Sequence, residues 1–412
     1  MREDVQQIYT TAIERCMPRE AVRRALSELP EAHGKLITVA IGKAAFEMAR
    51  EAALTLGERI DHGIVITKYK HAKGEIPSFE IFEAGHPVPD EATLRATERA
   101  LEITSNLSPD DTVLFLVSGG GSALFESVDC PLEDLQRITS ELLSRGASIE
   151  EINTVRKHLS NVKGGRFAEH CAPAQVFGVV LSDVLGDRLD TIASGPSVAD
   201  TSTAKKALDT VLRYGLTVSS EMRTLLSRET PKQIDNATHF IGGSVKELCR
   251  AARDAAEALG YRTVILTDGL NCEAREAGKM LASIAKTHID SPTPLAFIAG
   301  GETVVHLRGD GLGGRNQELA LAAALEIEGL DGVAVFSVGS DGTDGPTDAA
   351  GGYADGATAK RIRDKGICPA SALERNDSYH ALAAAGDLIV TSPTGTNVND
   401  VAAVLIKGKT QN

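Results

Sequence analysis

The sequence contains no tryptophan, and aromatic residues fill only 4% of its 412 positions. It has no apolar run long enough to cross a bilayer, and its first ten residues, MREDVQQIYT, carry mixed charge in place of an apolar signal segment. Its six cysteines (Cys16, Cys130, Cys171, Cys249, Cys272 and Cys368) show no paired spacing. That argues against a zinc site or a disulfide framework and suits reduced thiols in a cytoplasmic protein. Positive charge is short as well: the formal net charge is −14, which disfavours non-specific contact with nucleic acid or an anionic membrane. The expected partners are small molecules; oligomeric state is not legible, although a homodimer would be unsurprising. No complete G-x-x-x-x-G-K-[ST] pattern occurs, which excludes a Walker A site.

What the chain does have is glycine and short apolar runs. Its length predicts two or three domains of ~100–200 residues each. The runs KLITVAIG, HGIVITK, TVLFLVSG, VFGVVLS, RTVILTDG, LAFIAGG, VAVFSVGS and DLIVTSP alternate with helical patterns. Several are continuously apolar, as strands buried on both faces are, and the alternation predicts an α/β protein with parallel sheets. Residues 219–238 are polar and strand-free, so a boundary is expected near residue 230, dividing the chain into 1–230 and 231–412. Many of the runs end in Gly, Ser, Thr or Asp. In open α/β sheets, ligands bind outside the carboxyl ends of the strands, which makes these residues the first candidates for chemistry.

In DTVLFLVSGGGSALFE, an apolar run stops at Ser118 and three glycines lead to a helical start at Ser122. Such a loop is either a tight turn or a cradle in which the backbone N–H groups of Ser118, Gly119, Gly120, Gly121 and Ser122 meet phosphate oxygens. Lys43 stands at another helix start, where it opposes the helix dipole unless an anion binds there. The segment SIEEINTVRKHLSNVKGGR opens on a capping box, Ser148 with Glu151, and places Arg156, Ser160 and Lys163 at i, i+4 and i+7. That face is read either as solvated or as a pocket for a carboxylate or phosphate. Asp183 and Asp341 each sit at a strand end, where one or two carboxylates are enough for magnesium. Asp187, Asp190, Asp344 and Asp348 read better as turn formers. Gly309, Gly311 and Gly314, with Asp331 beyond them, match the dinucleotide fingerprint and raise the alternative of an NAD(P)H-dependent hydroxypyruvate reductase. Arg315 and Asn316 follow that loop at the next helix start. The polar loop containing Thr394 and Asn397 is a candidate ligand loop.

The motifs IGKAA, SGGGSAL, INTVRKHLSNVKGGR, LSDVLGD with IASGPSV, GGETVV with GGRNQE, SDGTDGPTDAAG and PTGTNVND run from residue 41 to 400. In that order they resemble the glycerate 2-kinase family, whose C-terminal half is the MOFRL domain. The resemblance implies a Rossmann-like, parallel-sheet N-terminal domain, a distinct α/β C-terminal domain and an active site in the cleft. It implies ATP-dependent phosphorylation of D-glycerate to 2-phospho-D-glycerate with magnesium. It also implies catalytic roles for Lys43 and Arg315, with Gly313, Gly314 and Asn316 near the nucleotide. Asp183 is the candidate for holding magnesium or accepting the hydroxyl proton, and Arg156, Ser160 and Lys163 for binding the glycerate carboxylate.

Overall fold

The computed structural model describes residues 1–409. They form two compact units: residues 18–242, and residues 1–17 together with the chain from residue 243 onward.

The first unit is built on β1 (Leu36–Ile41), β2 (His62–Lys68), β3 (Phe79–Ala84), β4 (Thr112–Val117), β5 (Gln175–Leu181) and β6 (Ala237–Gly243). Their order is β3-β2-β1-β4-β5-β6, the strand order of doubly wound nucleotide-binding sheets. The β1–β2, β1–β4, β2–β3 and β4–β5 pairs are all parallel. Both faces of β1 and β4 are covered, which is why their sequences are apolar throughout. Val39, Ile41, Val113 and Phe115 pack on one side; Leu36, Ala40, Leu114 and Leu116 pack on the other. On the first side Phe115, Phe125 and Phe167 form an aromatic cluster with ring centroids 4.8–5.9 Å apart. A satellite core of Leu135, Ile138, Ile152, Val155 and Val211 joins the helices Leu132–Ser144, Ile149–Leu159 and Ala204–Arg213.

The second unit's sheet is mixed where the alternation of strand and helix patterns predicts parallel. It comprises β7 (Arg262–Leu270), β8 (Leu295–Gly301), β9 (Val333–Gly339), β10 (Gly351–Asp355), β11 (Leu388–Ile389) and β12 (Asp400–Ile406), in the order β11-β10-β9-β12-β8-β7. Among the described residues only β7 and β8 of this sheet pair in parallel; β12 runs antiparallel to both β8 and β9. Because of that reversal, Asp400, the first residue of β12, pairs with Gly301 and Gly339, the last residues of β8 and β9. The helix Arg2–Arg15 packs against the helix Val245–Ala258, and the Tyr261 hydroxyl donates to Asp4 at 2.6 Å. Among the described residues no helix is long and apolar enough to cross a membrane.

Candidate active site

In the first unit, the loops after β1 and β4 are tied to each other. The Ser118 hydroxyl donates to the Ile41 carbonyl (3.2 Å) and accepts from the Ala44 N–H (3.0 Å), while the Lys43 N–H donates to the Gly119 carbonyl (2.9 Å). Gly42 permits this approach: its φ is +108°, and a Cβ there would lie 2.3 Å from the Ser118 carbonyl oxygen. The triglycine turn leads into a single helical turn, Gly121–Leu124, too short to supply much dipole. What it does offer is backbone. Among the described residues, the N–H groups of Gly119 and Gly120 meet no acceptor. The Ser118 hydroxyl is committed to the β1 loop, and the Ser122 hydroxyl pairs with that of Ser194 (3.2 Å).

Lys43 lies just before the helix Ala45–Leu56, and among the described residues no carboxylate comes within ion-pair distance of its ammonium. Asp183, after β5, faces the same turn: a Cβ on Gly119 would lie 2.6 Å from its Oδ2 and 3.7 Å from the Lys43 Cε. Burial raises the Asp183 pKa against its own backbone N–H and the charge of Lys43. His86 gives no signal in the sequence, because a lone His between Gly and Pro shows no spacing pattern. Its ring sits against Gly120, and burial, then Lys43, Lys68 and His71, lowers its pKa, favouring the neutral imidazole.

The capping box at Ser148 and Glu151 is present, but the helix it starts ends at Leu159, so Arg156, Ser160 and Lys163 do not share a helical face. Ser160 is the C-cap, and its hydroxyl accepts from the N–H groups of Val162 and Lys163. The Lys163 side chain is fully buried; its Nζ donates to the Phe125 carbonyl (2.5 Å) and lies 3.0 Å from Glu126 Oε2. Arg156 is mostly buried, and its Nη2 donates to the Ser122 carbonyl (2.6 Å) at the end of the glycine turn. Of the three, Arg156 alone keeps part of its side chain open to solvent.

In the second unit, Arg315 begins the helix Arg315–Glu326 and grips Asp400 through Nε (2.5 Å) and Nη2 (3.0 Å), with Nη1 3.2 Å from Glu302. Burial works against this guanidinium's charge, but Asp400 and Glu302 outweigh it and raise its pKa. The anion at this helix start is Asp344, which accepts from the N–H groups of Asn316 (3.1 Å) and Gln317 (2.9 Å). Its pKa is pushed up to about 6 by burial, against those two N–H groups. Asp344 is therefore a buried cap, more than the turn former expected of it. Asn316 is buried, its Oδ1 accepting from the Ser337 hydroxyl at 2.5 Å.

The glycines of the dinucleotide fingerprint serve packing. No strand runs directly into them: β8 ends at Gly301, and Val304 forms only an isolated bridge. A Cβ on Gly309 or Gly311 would lie 2.6 Å from the Arg375 backbone, one on Gly313 2.1 Å from the Ser378 Oγ, and one on Gly314 2.3 Å from the Asp344 carboxylate. Asp341 accepts from the Thr343 N–H (2.9 Å), and the Thr394 hydroxyl donates to the Ser340 carbonyl (2.6 Å). Asn397 is exposed, and its Oδ1 accepts from the Asn399 N–H (3.4 Å). The Asn399 Nδ2 is buried without an acceptor. Among the described residues no three His, Cys, Asp or Glu side chains converge as a metal cluster.

A glycine-turn unit on a 3-2-1-4-5-6 sheet, followed by a mixed-sheet unit, defines a two-part α/β class. Residues 4–227 match a family model described as a domain of unknown function, DUF4147, and residues 295–400 match the MOFRL family. The chain is 52% identical over 406 residues to the D-glycerate 2-kinase of Thermotoga maritima, with 97% of each covered. A protein of Agrobacterium vitis that carries a provisional hydroxypyruvate reductase name is 40% identical over 419 residues, covering 98% of this chain and 94% of that one. The crystal structure of a glycerate kinase from Thermotoga maritima superposes with a TM-score of 0.94 at 52% identity, over 98% of this chain and 99% of that one. The chain belongs to the glycerate 2-kinase family.

Proposed function

We propose that this enzyme transfers the γ-phosphoryl group of ATP to the secondary hydroxyl of D-glycerate, giving 2-phospho-D-glycerate and ADP. The observation that carries this reading is the Lys43 ammonium, which among the described residues has no carboxylate within ion-pair distance and stands beside a turn whose Gly119 and Gly120 N–H groups meet no acceptor. A buried or half-buried cation without an anion is costly, and a phosphate would satisfy both the ammonium and the amides. Phosphoryl transfer asks little covalent chemistry of a protein beyond positioning and charge neutralisation. Gly119 and Gly120 hold phosphate oxygens, Lys43 stabilises the charge that develops on them, and Arg315 is a second catalytic cation. Gly313, Gly314 and Asn316 shape the turn that carries Arg315, and the Thr394–Asn397 loop contributes polar contacts to the nucleotide. Arg156 meets the glycerate carboxylate; Ser160 and Lys163, bonded internally, support it.

Asp183 fits a magnesium ion: it is a hard oxygen donor beside the phosphate turn, and its carboxylate has no side-chain hydrogen-bond donor. Magnesium would neutralise phosphate charge there, with Asp341 the corresponding carboxylate of the second unit. Without that role, the raised pKa of Asp183 suits it to accept the hydroxyl proton. Reduction of hydroxypyruvate is disfavoured by the fingerprint glycines, which are occupied by protein packing. Phosphorus NMR of the product formed from D-glycerate and MgATP tests the proposal. A 2-phosphate ester is expected; NAD(P)H oxidation with hydroxypyruvate and no phosphate ester would overturn it.

A further inference from the structure

Beneath the glycine turn lies a buried cluster of two cations and one carboxylate: Arg156, Lys163 and Glu126. The Glu126 side chain is fully buried, with Lys163 Nζ 3.0 Å from its Oε2 and Arg156 Nη2 3.9 Å from the same atom. Both cations lie within ion-pair distance of Glu126, Lys163 the nearer, while Arg156 Nη2 spends its hydrogen bond on the Ser122 carbonyl. Both ends of the cluster grip one short stretch: Arg156 holds Ser122, while Lys163 holds Phe125 through its carbonyl. The Arg156 Nε is buried with no partner, so this guanidinium has spare donors and a carboxylate within short reach. Burial lowers the Lys163 pKa to about 8, with Glu126 pulling it back up and the neighbouring Arg156 charge pushing it down.

We infer that Lys163 is a positioning residue: by occupying Glu126 it leaves Arg156 on the Ser122 carbonyl and so fixes the turn that presents the Gly119 and Gly120 amides. Remove the lysine, and Arg156 swings to the uncompensated carboxylate and releases the turn. Remove both charges of the pair, and Arg156 has nothing to swing to. The kinetic arm of the inference rests on the kinase reading given above; the structural arm does not.

Hydrogen exchange of the Gly119–Phe125 amides, with steady-state kinetics against ATP, tests it in three variants. Lys163→Met is expected to lose protection in this stretch and to lose at least about tenfold in kcat/KM for ATP. Glu126→Gln/Lys163→Met also lacks the Lys163 bond to Phe125 but gives Arg156 no carboxylate to turn to, so it is expected to regain most of the protection at Gly119–Ser122 and at least about threefold in kcat/KM relative to Lys163→Met. Glu126→Gln, which strands Lys163 but leaves Arg156 on Ser122, is expected to keep that protection while its Tm falls. A merely structural role would lower the Tm of Lys163→Met while its exchange and kinetic constants stayed at wild-type values, and that result overturns the inference. So does a folded double variant as impaired as the single one; should Lys163→Met not fold, the double variant decides. Exchange behaving as expected, in an enzyme that does not phosphorylate glycerate, would uphold the positioning role and retire the kinase reading.

Discussion

The two cations assigned to phosphoryl transfer are held in opposite ways, so their removal should look different. Among the described residues Lys43 has no ion pair to lose. Lys43→Ala is expected to lower kcat by about 100-fold or more, with Tm unchanged or slightly higher, as kinetics and thermal unfolding would read. Arg315 neutralises Asp400, which is largely buried, so Arg315→Ala leaves a carboxylate stranded. It should cost roughly 3 kcal/mol of stability in addition to activity, and Arg315→Ala/Asp400→Asn should recover the stability without the turnover. At Asp344, the shift from 3.8 to about 6 means that the folded state binds the proton more tightly than the unfolded chain. Its contribution to stability is fully present below the unfolded value and is lost as pH rises through about 6. Denaturant titrations from pH about 4 to about 7 should therefore show a loss across this window that flattens in Asp344→Asn. Lys43, Asp183 and Arg315 stand out as candidates in the sequence because each follows an apolar run or opens a helix. His86, Glu126 and Asp400 do not: their significance comes from neighbours distant in the chain, and no local spacing marks them.

Among the elements, the glycine turn is the most exacting. Gly120 has a φ of +88°, and a Cβ there would lie 2.9 Å from the His86 ring. Gly120→Ala should weaken ATP binding about tenfold or more, measured by calorimetry, because backbone strain and contact with His86 both displace the amides. The apolar runs of β1 and β4 announced a sheet covered on both faces. Strand direction was harder to read, since nothing in a composition such as VAAVLI separates a parallel strand from the antiparallel β12. β7 reads as a buried strand yet lies at the edge of its sheet, with Val264 and Leu266 exposed. The start of the Ile149–Leu159 helix was written in its capping box. Its end was not, because Ser160 closes it where no glycine or proline gives warning.

Across the whole chain, the sequence of residues does not follow the sequence of units. The first 17 residues belong with the chain beyond residue 242, and the helix Arg2–Arg15 buries Val5, Ile8 and Ala12 there. A fragment of residues 18–242 is expected to unfold cooperatively by itself. A fragment of residues 243–412 should do so only when residues 1–17 are supplied, fused or as a peptide, and circular dichroism melts would show the difference. Equal cooperativity with and without the peptide would count against this assignment. The arrangement also bears on biosynthesis. The helix Arg2–Arg15 leaves the ribosome well before the helix it docks on, so its apolar stripe waits uncovered while the intervening unit is translated and folds.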